Sequence, residues 1–308
     1  MKTAVVGPGA MGLMLAARLA AAGAEVVLLD HRAQRAAQIN ESQVTLDHPE
    51  GQERLAITAT ADPAALAGVE LAVVCTKAYH TQEVARTLRA HLAPEARALT
   101  LQNGAENVET LVEALGPARV LGGITSEGAT LLEPGHARHA GRGQTHIGPA
   151  QGAVDQFCRQ VMEMLVSAGF ETEAVEGVQN LIWTKLVINV GINPLTAILE
   201  VLNGRLLELA PAGKVMASAV AEAVRVGQAL GIGFLHEDML KAVQEVAHRT
   251  GANISSMLQD IKAQRRTEVS YINGAVVRQG EQVGVPTPVN QTLTWLVQAK
   301  EAGYLEKR

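Results

Sequence analysis

Thr3-Ala4-Val5-Val6-Gly7-Pro8-Gly9-Ala10-Met11-Gly12 decides how the first half of this 308-residue chain is read. Thr3–Val6 is short and apolar, as a buried strand should be. Gly7-Pro8-Gly9-Ala10-Met11-Gly12 matches G-x-G-x-x-G. An Ala/Leu-rich segment then runs to about Ala22, and Gly23 is placed to stop a helix. Glu25–Leu29 is the next strand, ending at Asp30. The glycines therefore lie in a strand–turn–helix–strand unit of about thirty residues, the setting in which this motif signifies a dinucleotide site. Gly7 permits the tight turn, Gly9 lets the backbone approach a pyrophosphate, and Gly12 lets the helix pack on the strand. Ala10 and Met11 open the helix whose free N–H groups and dipole attract phosphate.

The end of the second strand bears on the choice of dinucleotide. Asp30 is the residue that an NAD site places against the ribose hydroxyls. His31 and Arg32 follow at once, and cations there suit the 2′-phosphate of NADP, which arginine binds as a fork. The two signals conflict, and the balance favours NADP, with His31 and Arg32 as the contacts. Arg35 reads as a solvated charge on a helix surface.

Further along, Val44 to Thr58 reads as short strands with a turn near Pro49-Glu50-Gly51. Leu71–Cys75 is a continuous apolar run, as in a central parallel strand. It ends at Thr76-Lys77, on the carboxyl edge where such sheets bind ligands, so Lys77 is a candidate cofactor-phosphate contact. Ala98–Leu101 ends likewise at Gln102-Asn103-Gly104, and Val120–Ile124 is a further strand. From Glu127 to Gly148, frequent glycines separate alternating pieces that suggest antiparallel strands appended to the same sheet. His136, Arg138, His139 and His146 cluster there without a matching set of ligands, so the histidines read as exposed sheet residues and no metal site is expected.

After Val178 the strand signals stop. Helical segments run over Val178–Asn193, Ala212–Leu230, Glu237–Thr250, Ser255–Gln264, Val269–Gln279 and Val289–Ala302. The fold class is an α/β Rossmann-type dinucleotide-binding domain over residues 1–175, followed by an all-α domain over 176–308, with a small-molecule cleft expected between them. In the first of these helices, Lys185, Asn189 and Asn193 are spaced i, i+4, i+8 and share one face of an otherwise apolar segment. The residue before a proline is pushed out of helical geometry, so Pro194 predicts the helix's end.

Composition excludes several classes. The net charge is −5 and aromatics are 3%, which argues against nucleic acid or an anionic membrane surface as partner. Cys75 and Cys158 form neither a disulfide framework nor a metal site, and favour a reducing cytoplasm. Lys2 and the apolar residues after it imitate a leader peptide, but Arg18 interrupts the run, and no transmembrane helix is expected. The leucine- and valine-rich helices of the second half suit either a homodimer contact or an internal core.

The chain resembles the ketopantoate reductases (2-dehydropantoate 2-reductases) over essentially its whole length. The residues that carry the resemblance are Gly7–Gly12, Thr76-Lys77, Leu101–Gly104, Lys185–Asn189, Asn193–Ala197 and Asn203-Gly204. Later come Asn253–Ile261, Arg266–Glu268 and Tyr271–Gly274. The lysine–asparagine helix and the Ser-Ser-Met-Leu-Gln-Asp segment are the specific parts. The resemblance implies NADPH-dependent reduction of 2-dehydropantoate to (R)-pantoate, for pantothenate and coenzyme A synthesis. It makes Lys185 the general acid and Glu268 its acidic partner near substrate and nicotinamide. Asn103 falls near the nicotinamide and the reacting group, and Lys77 on a cofactor phosphate. Asn189, Asn193 and Asn203 surround the substrate's hydroxyl and carbonyl, and Ser256 binds its carboxylate. His31 stands where familiar members have arginine, with Arg32 beside it. Other readings are a reductase of another branched 2-keto acid, and a non-catalytic NADP-binding sensor. Ser256 and Glu268 are twelve residues apart, about 18 Å on a straight helix. For both to reach one small acid, the helix must break near Arg265–Thr267, with Thr267 capping a new start.

Overall fold

The computed structural model describes residues 1–306. Among the described residues the strands are β1 (Thr3–Val6), β2 (Val26–Leu29), β3 (Val44–His48), β4 (Gly51–Leu55), β5 (Thr58–Thr60), β6 (Leu71–Val74), β7 (Arg97–Thr100), β8 (Val120–Thr125), β9 (Gly128–Glu133), β10 (His136–Gly141), β11 (Thr145–Pro149) and β12 (Thr172–Ala174). The helices among them are α1 (Ala10–Ala21), α2 (Ala33–Ser42), α3 (Thr81–His91), α4 (Glu106–Leu115) and α5 (Gln156–Ser167). The α-helices that follow are α6 (Val178–Leu199), α7 (Arg205–Glu208), α8 (Ala210–Ala229), α9 (Met239–Arg249), α10 (Ser256–Lys262), α11 (Asn273–Val283) and α12 (Pro288–Leu305). Two compact units result. One comprises residues 1–102 and 107–178, the other 103–106 and 179–308.

The first unit is built on an eight-stranded sheet, ordered β12-β11-β8-β7-β6-β1-β2-β5. The strands from β5 to β8 are parallel, and β11 runs antiparallel to β8. β1 and β6 are buried along their whole length, which explains their unbroken apolar sequences. The chain leaves β1 for β2 on one side and returns to β6 on the other, so the strand order reverses there. Val6 pairs with Val74, which brings the turn after β1 level with the turn after β6.

The pieces between Glu127 and Gly148 do not all join that sheet. β9 and β10 form a second sheet with β3 and β4, ordered β4-β3-β10-β9, and only β11 extends the first. Helix α1 supplies the reason. Leu13, Met14, Leu15, Ala16, Ala17 and Leu19 are all buried, so its apolar surface goes well round the helix. A helix of that kind must be covered on more than one side. Val44, Leu46 and Ala137 of the second sheet join α1 and the main sheet in one core. The histidines are correspondingly less exposed than their spacing suggested. His139 is buried and its Nε2 lies 2.5 Å from Glu127 Oε2, while His136 and His146 are half-buried.

In the helical unit, α6 is the central element. It is long and apolar enough to cross a membrane, with a mean hydropathy of 1.4, yet 78% of that stretch is buried inside the fold. Gly191 marks a close crossing: an added Cβ would lie 2.8 Å from Val243 of α9 and 3.0 Å from Val220 of α8. The helix does not end at Pro194 as predicted but continues to Leu199. Proline removes the N–H that would bond the Val190 carbonyl. Asn273 Nδ2, at the start of α11, donates to that carbonyl instead, at 3.4 Å, and also to Asn290 Oδ1 at 2.9 Å. Asn290 Nδ2 in turn donates to Glu222 Oε2 at 2.8 Å, and Glu222 accepts the N–H groups of Val289 and Asn290 at 2.9 Å each. A fully buried Asn273 thus replaces the missing backbone bond from a distance. Asn273→Leu strips two buried acceptors of their donor, at about 1–3 kcal/mol each. We expect the urea midpoint to fall accordingly; an unchanged midpoint would show that the Val190 carbonyl needs no external donor.

Candidate active-site residues in the two units

The turn after β1 is shaped by what its glycines leave out. Gly7 has φ +97°, a region that favours glycine, and a Cβ there would meet Thr76 Cγ2 at 2.6 Å. A Cβ on Gly12 would lie 2.1 Å from the Gly7 carbonyl oxygen, so α1 can sit this close to the turn only with glycine at that place. Around Gly9 a Cβ would find nothing within 4 Å. The space is open toward the first turn of α1, which has no side-chain cap and no acidic residue. Ala10 and Met11 therefore bring the start of a helix dipole, uncompensated by the protein, to an open concavity. These are features that a pyrophosphate group fits.

Beside this turn lies a cavity of about 240 Å³, bordered by Asp30, His31, Thr76 and His80. The His31 and His80 rings face each other with centroids 5.2 Å apart. Asp30 is 2% exposed, and its carboxylate is already engaged. Arg35 Nε donates to Oδ2, Arg35 Nη2 to Oδ1 at 2.6 Å, and the Arg32 N–H to Oδ1 at 3.1 Å. Arg35 is thus no solvated surface charge, as the sequence suggested. The side chain of Arg32 is exposed and hydrogen-bonds His31 Nε2 at 3.2 Å. Lys77 follows β6, partly exposed, as expected of the sheet's carboxyl edge. One residue that spacing gave no role is Gln102. Its Nε2 donates to the Thr76 carbonyl at 2.8 Å and to Thr81 Oγ1 at 2.9 Å, fastening the turn after β6 to the end of β7.

The helical unit gathers Lys185, Asn189, Asn193, Asn203, Ser256 and Glu268, and residues 103–106 belong to it too. That short segment is fixed by Glu106 Oε1, which accepts Arg278 Nε of α11 at 3.0 Å, and it carries the partly exposed Asn103. Among the described residues of the unit, Lys185 is the most perturbed cation. Burial pushes its ammonium down from 10.5 to about 8, and the Glu268 carboxylate nearby opposes the fall. Glu268 itself is 7% exposed. Along the polar stripe of α6, Lys185 and Asn189 are partly exposed. Asn193 is buried, at 5% exposure.

Asn203 is buried where two backbones approach: a Cβ on Gly204 would lie 2.8 Å from Gly251. Asn203 Nδ2 donates to Thr250 Oγ1 at 2.9 Å, and its Oδ1 is buried with no donor among the described residues. The serine pair divides its work. Ser255 Oγ accepts the Leu258 N–H at 3.1 Å and bonds Thr196 Oγ1 at 2.7 Å, so it caps α10. Ser256 is exposed. The break expected between Ser256 and Glu268 is present and longer than the sequence implied. It runs from Ala263 through Glu268, with Gln264 at φ +50° and the Arg265 N–H returning to the Asp260 carbonyl at 2.8 Å. The Thr267 hydroxyl accepts the Val269 N–H at 3.2 Å, opening a 3-10 turn over Val269–Tyr271.

With this geometry in view, likeness to known proteins becomes decisive. The family model described as ketopantoate reductase PanE/ApbA matches residues 3–152, and its C-terminal counterpart matches 177–301. The chain is 38% identical over 298 residues to a 2-dehydropantoate 2-reductase of Halobacterium salinarum, covering 96% of this chain and 98% of that one. The chain belongs to the ketopantoate reductase family. A 2-dehydropantoate 2-reductase of Archaeoglobus fulgidus is 36% identical, with 97% of each chain covered. Among solved structures, a PanE/ApbA family ketopantoate reductase from Ralstonia eutropha superposes with a TM-score of 0.91 at 32% identity, covering 99% of both chains. D-mandelate dehydrogenase with NADH and anilino(oxo)acetate is also similar, at a TM-score of 0.90, 26% identity and 99% coverage of both chains. Membership in the ketopantoate reductase family accounts for the α/β unit followed by an all-helical one, and makes the chain an oxidoreductase.

Proposed function

We propose that the chain reduces 2-dehydropantoate to (R)-pantoate with NADPH, in pantothenate and coenzyme A synthesis. The observation that carries this reading is a half-buried lysine whose desolvation brings its proton affinity down to about 8, with the buried Glu268 carboxylate near it, within this family. A 2-keto acid must be held by its carboxylate, polarised at its carbonyl and given one proton. The Lys185 ammonium hydrogen-bonds the keto oxygen and releases its proton as negative charge develops there. Its lowered proton affinity makes that release easier at neutral pH, and Glu268 keeps it charged between turnovers. The exposed Ser256 hydroxyl takes the substrate carboxylate. Asn103, Asn189, Asn193 and Asn203 supply the neutral donors and acceptors around the substrate's hydroxyl and carbonyl. The Gly7–Gly12 turn and Lys77 would hold NADPH, which would supply the hydride for the keto carbon.

NADP(H) is favoured because Asp30 is committed to Arg35 and the Arg32 N–H, which leaves the His31 and Arg32 side chains to meet a 2′-phosphate. Arg32→Ala should weaken NADP⁺ binding about tenfold or more, since a hydrogen bond to a charged group contributes about 1.5–3 kcal/mol. NAD⁺ binding should stay as it was. Calorimetry with both dinucleotides checks this, and equal loss for the two would remove Arg32 from the 2′-phosphate site.

The primary test follows NADPH absorbance after adding 2-dehydropantoate to micromolar enzyme. Steady oxidation is expected; none would reject the proposal. Likeness to D-mandelate dehydrogenase favours one second reading, reduction of a different 2-keto acid with NADH. Parallel assays with an aromatic 2-keto acid and with NADH decide between the two.

A further inference from the structure

The segment that presents Glu268 is held from outside. Residues 263–268 form a strap between the end of α10 and the 3-10 turn at Val269, outside both helical elements. Side chains on two helices grip it. From α12, Glu301 Oε1 accepts the Thr267 N–H at 2.7 Å, and the Tyr304 hydroxyl donates to the Arg265 carbonyl at 2.7 Å. From α10, Asp260 Oδ1 receives Arg265 Nε at 3.1 Å and Nη2 at 3.0 Å. Glu301 is 8% exposed and Thr267 2%, so water has little part in the contact between them. The Tyr304 phenol is pushed up to about 12 by its partial burial and then by the charges of Glu301 and Asp260.

Burying a carboxylate is costly, and here one is used to hold a neutral peptide N–H one residue before Glu268. The neighbouring residue on α12 reaches the other partner's helix. Lys300 Nζ donates to the Ile198 carbonyl in the last turn of α6 at 3.3 Å and to Glu200 Oε1 at 2.6 Å. One turn of α12 is therefore tied both to the helix carrying Lys185 and to the strap carrying Glu268. We propose that Glu301, assisted by Tyr304, is a positioning residue that holds the strap, and through it the Glu268 carboxylate, in place opposite Lys185. The inference rests on the reading of Lys185 and Glu268 as the reacting pair. The charged groups that face the strap are Asp260 from α10 and Glu301 from α12; Arg265 and Arg266 lie on it, and Lys185 faces Glu268 from α6.

The experiment titrates Lys185 directly, by ¹³C NMR of lysine-labelled protein with Lys185→Ala for assignment, and in parallel records the pH profile of kcat for NADPH oxidation. Wild type should titrate near 8. Glu301→Gln keeps a carbonyl oxygen to accept the Thr267 N–H, so its midpoint should match wild type, with kcat within about threefold. Glu301→Leu releases the strap. Its midpoint should fall by about one unit, the scale of a nearby charge withdrawn, and kcat at pH 7.5 by about tenfold, while KM for NADPH stays constant. A folded Glu301→Leu protein with the wild-type titration overturns the proposal. So does a Glu301→Gln shift as large as that of Glu301→Leu, which would make the charge of Glu301, not its bond, the active term. If Glu301→Leu does not fold, Tyr304→Phe, at a half-buried site, should shift the midpoint downward by a measurable fraction of a unit; no shift overturns the proposal. Failure of the wild type to oxidise NADPH would reject the substrate assignment and leave the titration as the test of the strap.

Discussion

Lys185→Ala should lower kcat by about 10²–10⁴, the usual contribution of a positioned general acid, with NADPH affinity changed less than threefold. The separation follows from where contacts lie. Gly7, Gly9, Gly12 and the Asp30–Arg35 pair belong to the α/β unit, and Lys185 to the helical one. Lys185→Arg keeps the positive charge but gives up a transferable proton, because a guanidinium does not deprotonate in this range. It should therefore recover part of the KM and little of the kcat. The pH profile carries the same information. Reduction needs the ammonium form, so kcat is level below the Lys185 midpoint, near 8, and falls about tenfold per pH unit above it. Steady-state kinetics from pH 6 to 10 measure both effects. Equal loss of kcat and NADPH affinity in Lys185→Ala would make the residue structural.

The second large effect concerns the glycine turn, and two substitutions separate its two requirements. Gly9→Ala puts a methyl where the protein has nothing within 4 Å, at a φ of −81° that any residue tolerates. Its thermal midpoint should stay within about 2 °C of wild type, while NADPH binding weakens about 100-fold, since the methyl occupies the approach to two or so phosphate hydrogen bonds. Gly12→Ala instead forces a Cβ to within 2.1 Å of a backbone oxygen. Backbone cannot give as a side-chain tip can, so α1 must move off the turn, and both melting temperature and NADPH affinity should drop. Calorimetric titration and thermal melts read the pair. Wild-type NADPH affinity in Gly9→Ala would sink the placement of the pyrophosphate at this turn.

The sequence was informative wherever the fold depends on short-range pattern. The glycine spacing, the apolar run into Thr76-Lys77, and the i, i+4, i+8 stripe on α6 are each local, and each appears in the fold where the pattern placed it. The break after Ser256 could be foreseen because a length argument demanded it. What spacing missed was set by partners remote in the chain. Arg35 looks solvated until β2 and α2 meet and Asp30 turns out to be its counter-ion. β9 and β10 look like extensions of the main sheet until the all-round apolarity of α1 is given weight. Glu301 and Tyr304 carry no motif at all. A glutamate and a tyrosine three apart near the end of an amphipathic helix are ordinary, and only the backbone they hold gives them meaning.

Pro194 was misread for the same reason, and its position has a consequence for how the molecule is made. The donor that satisfies the Val190 carbonyl sits 83 residues further along the chain. During synthesis from the N-terminus, the segment through Leu199 leaves the ribosome well before Asn273 exists, and until then its proline is a break with no remedy. The lysine helix therefore reaches its final form late, together with α11, and the α/β unit has time to fold while its partner in the same polypeptide is still waiting for its last third.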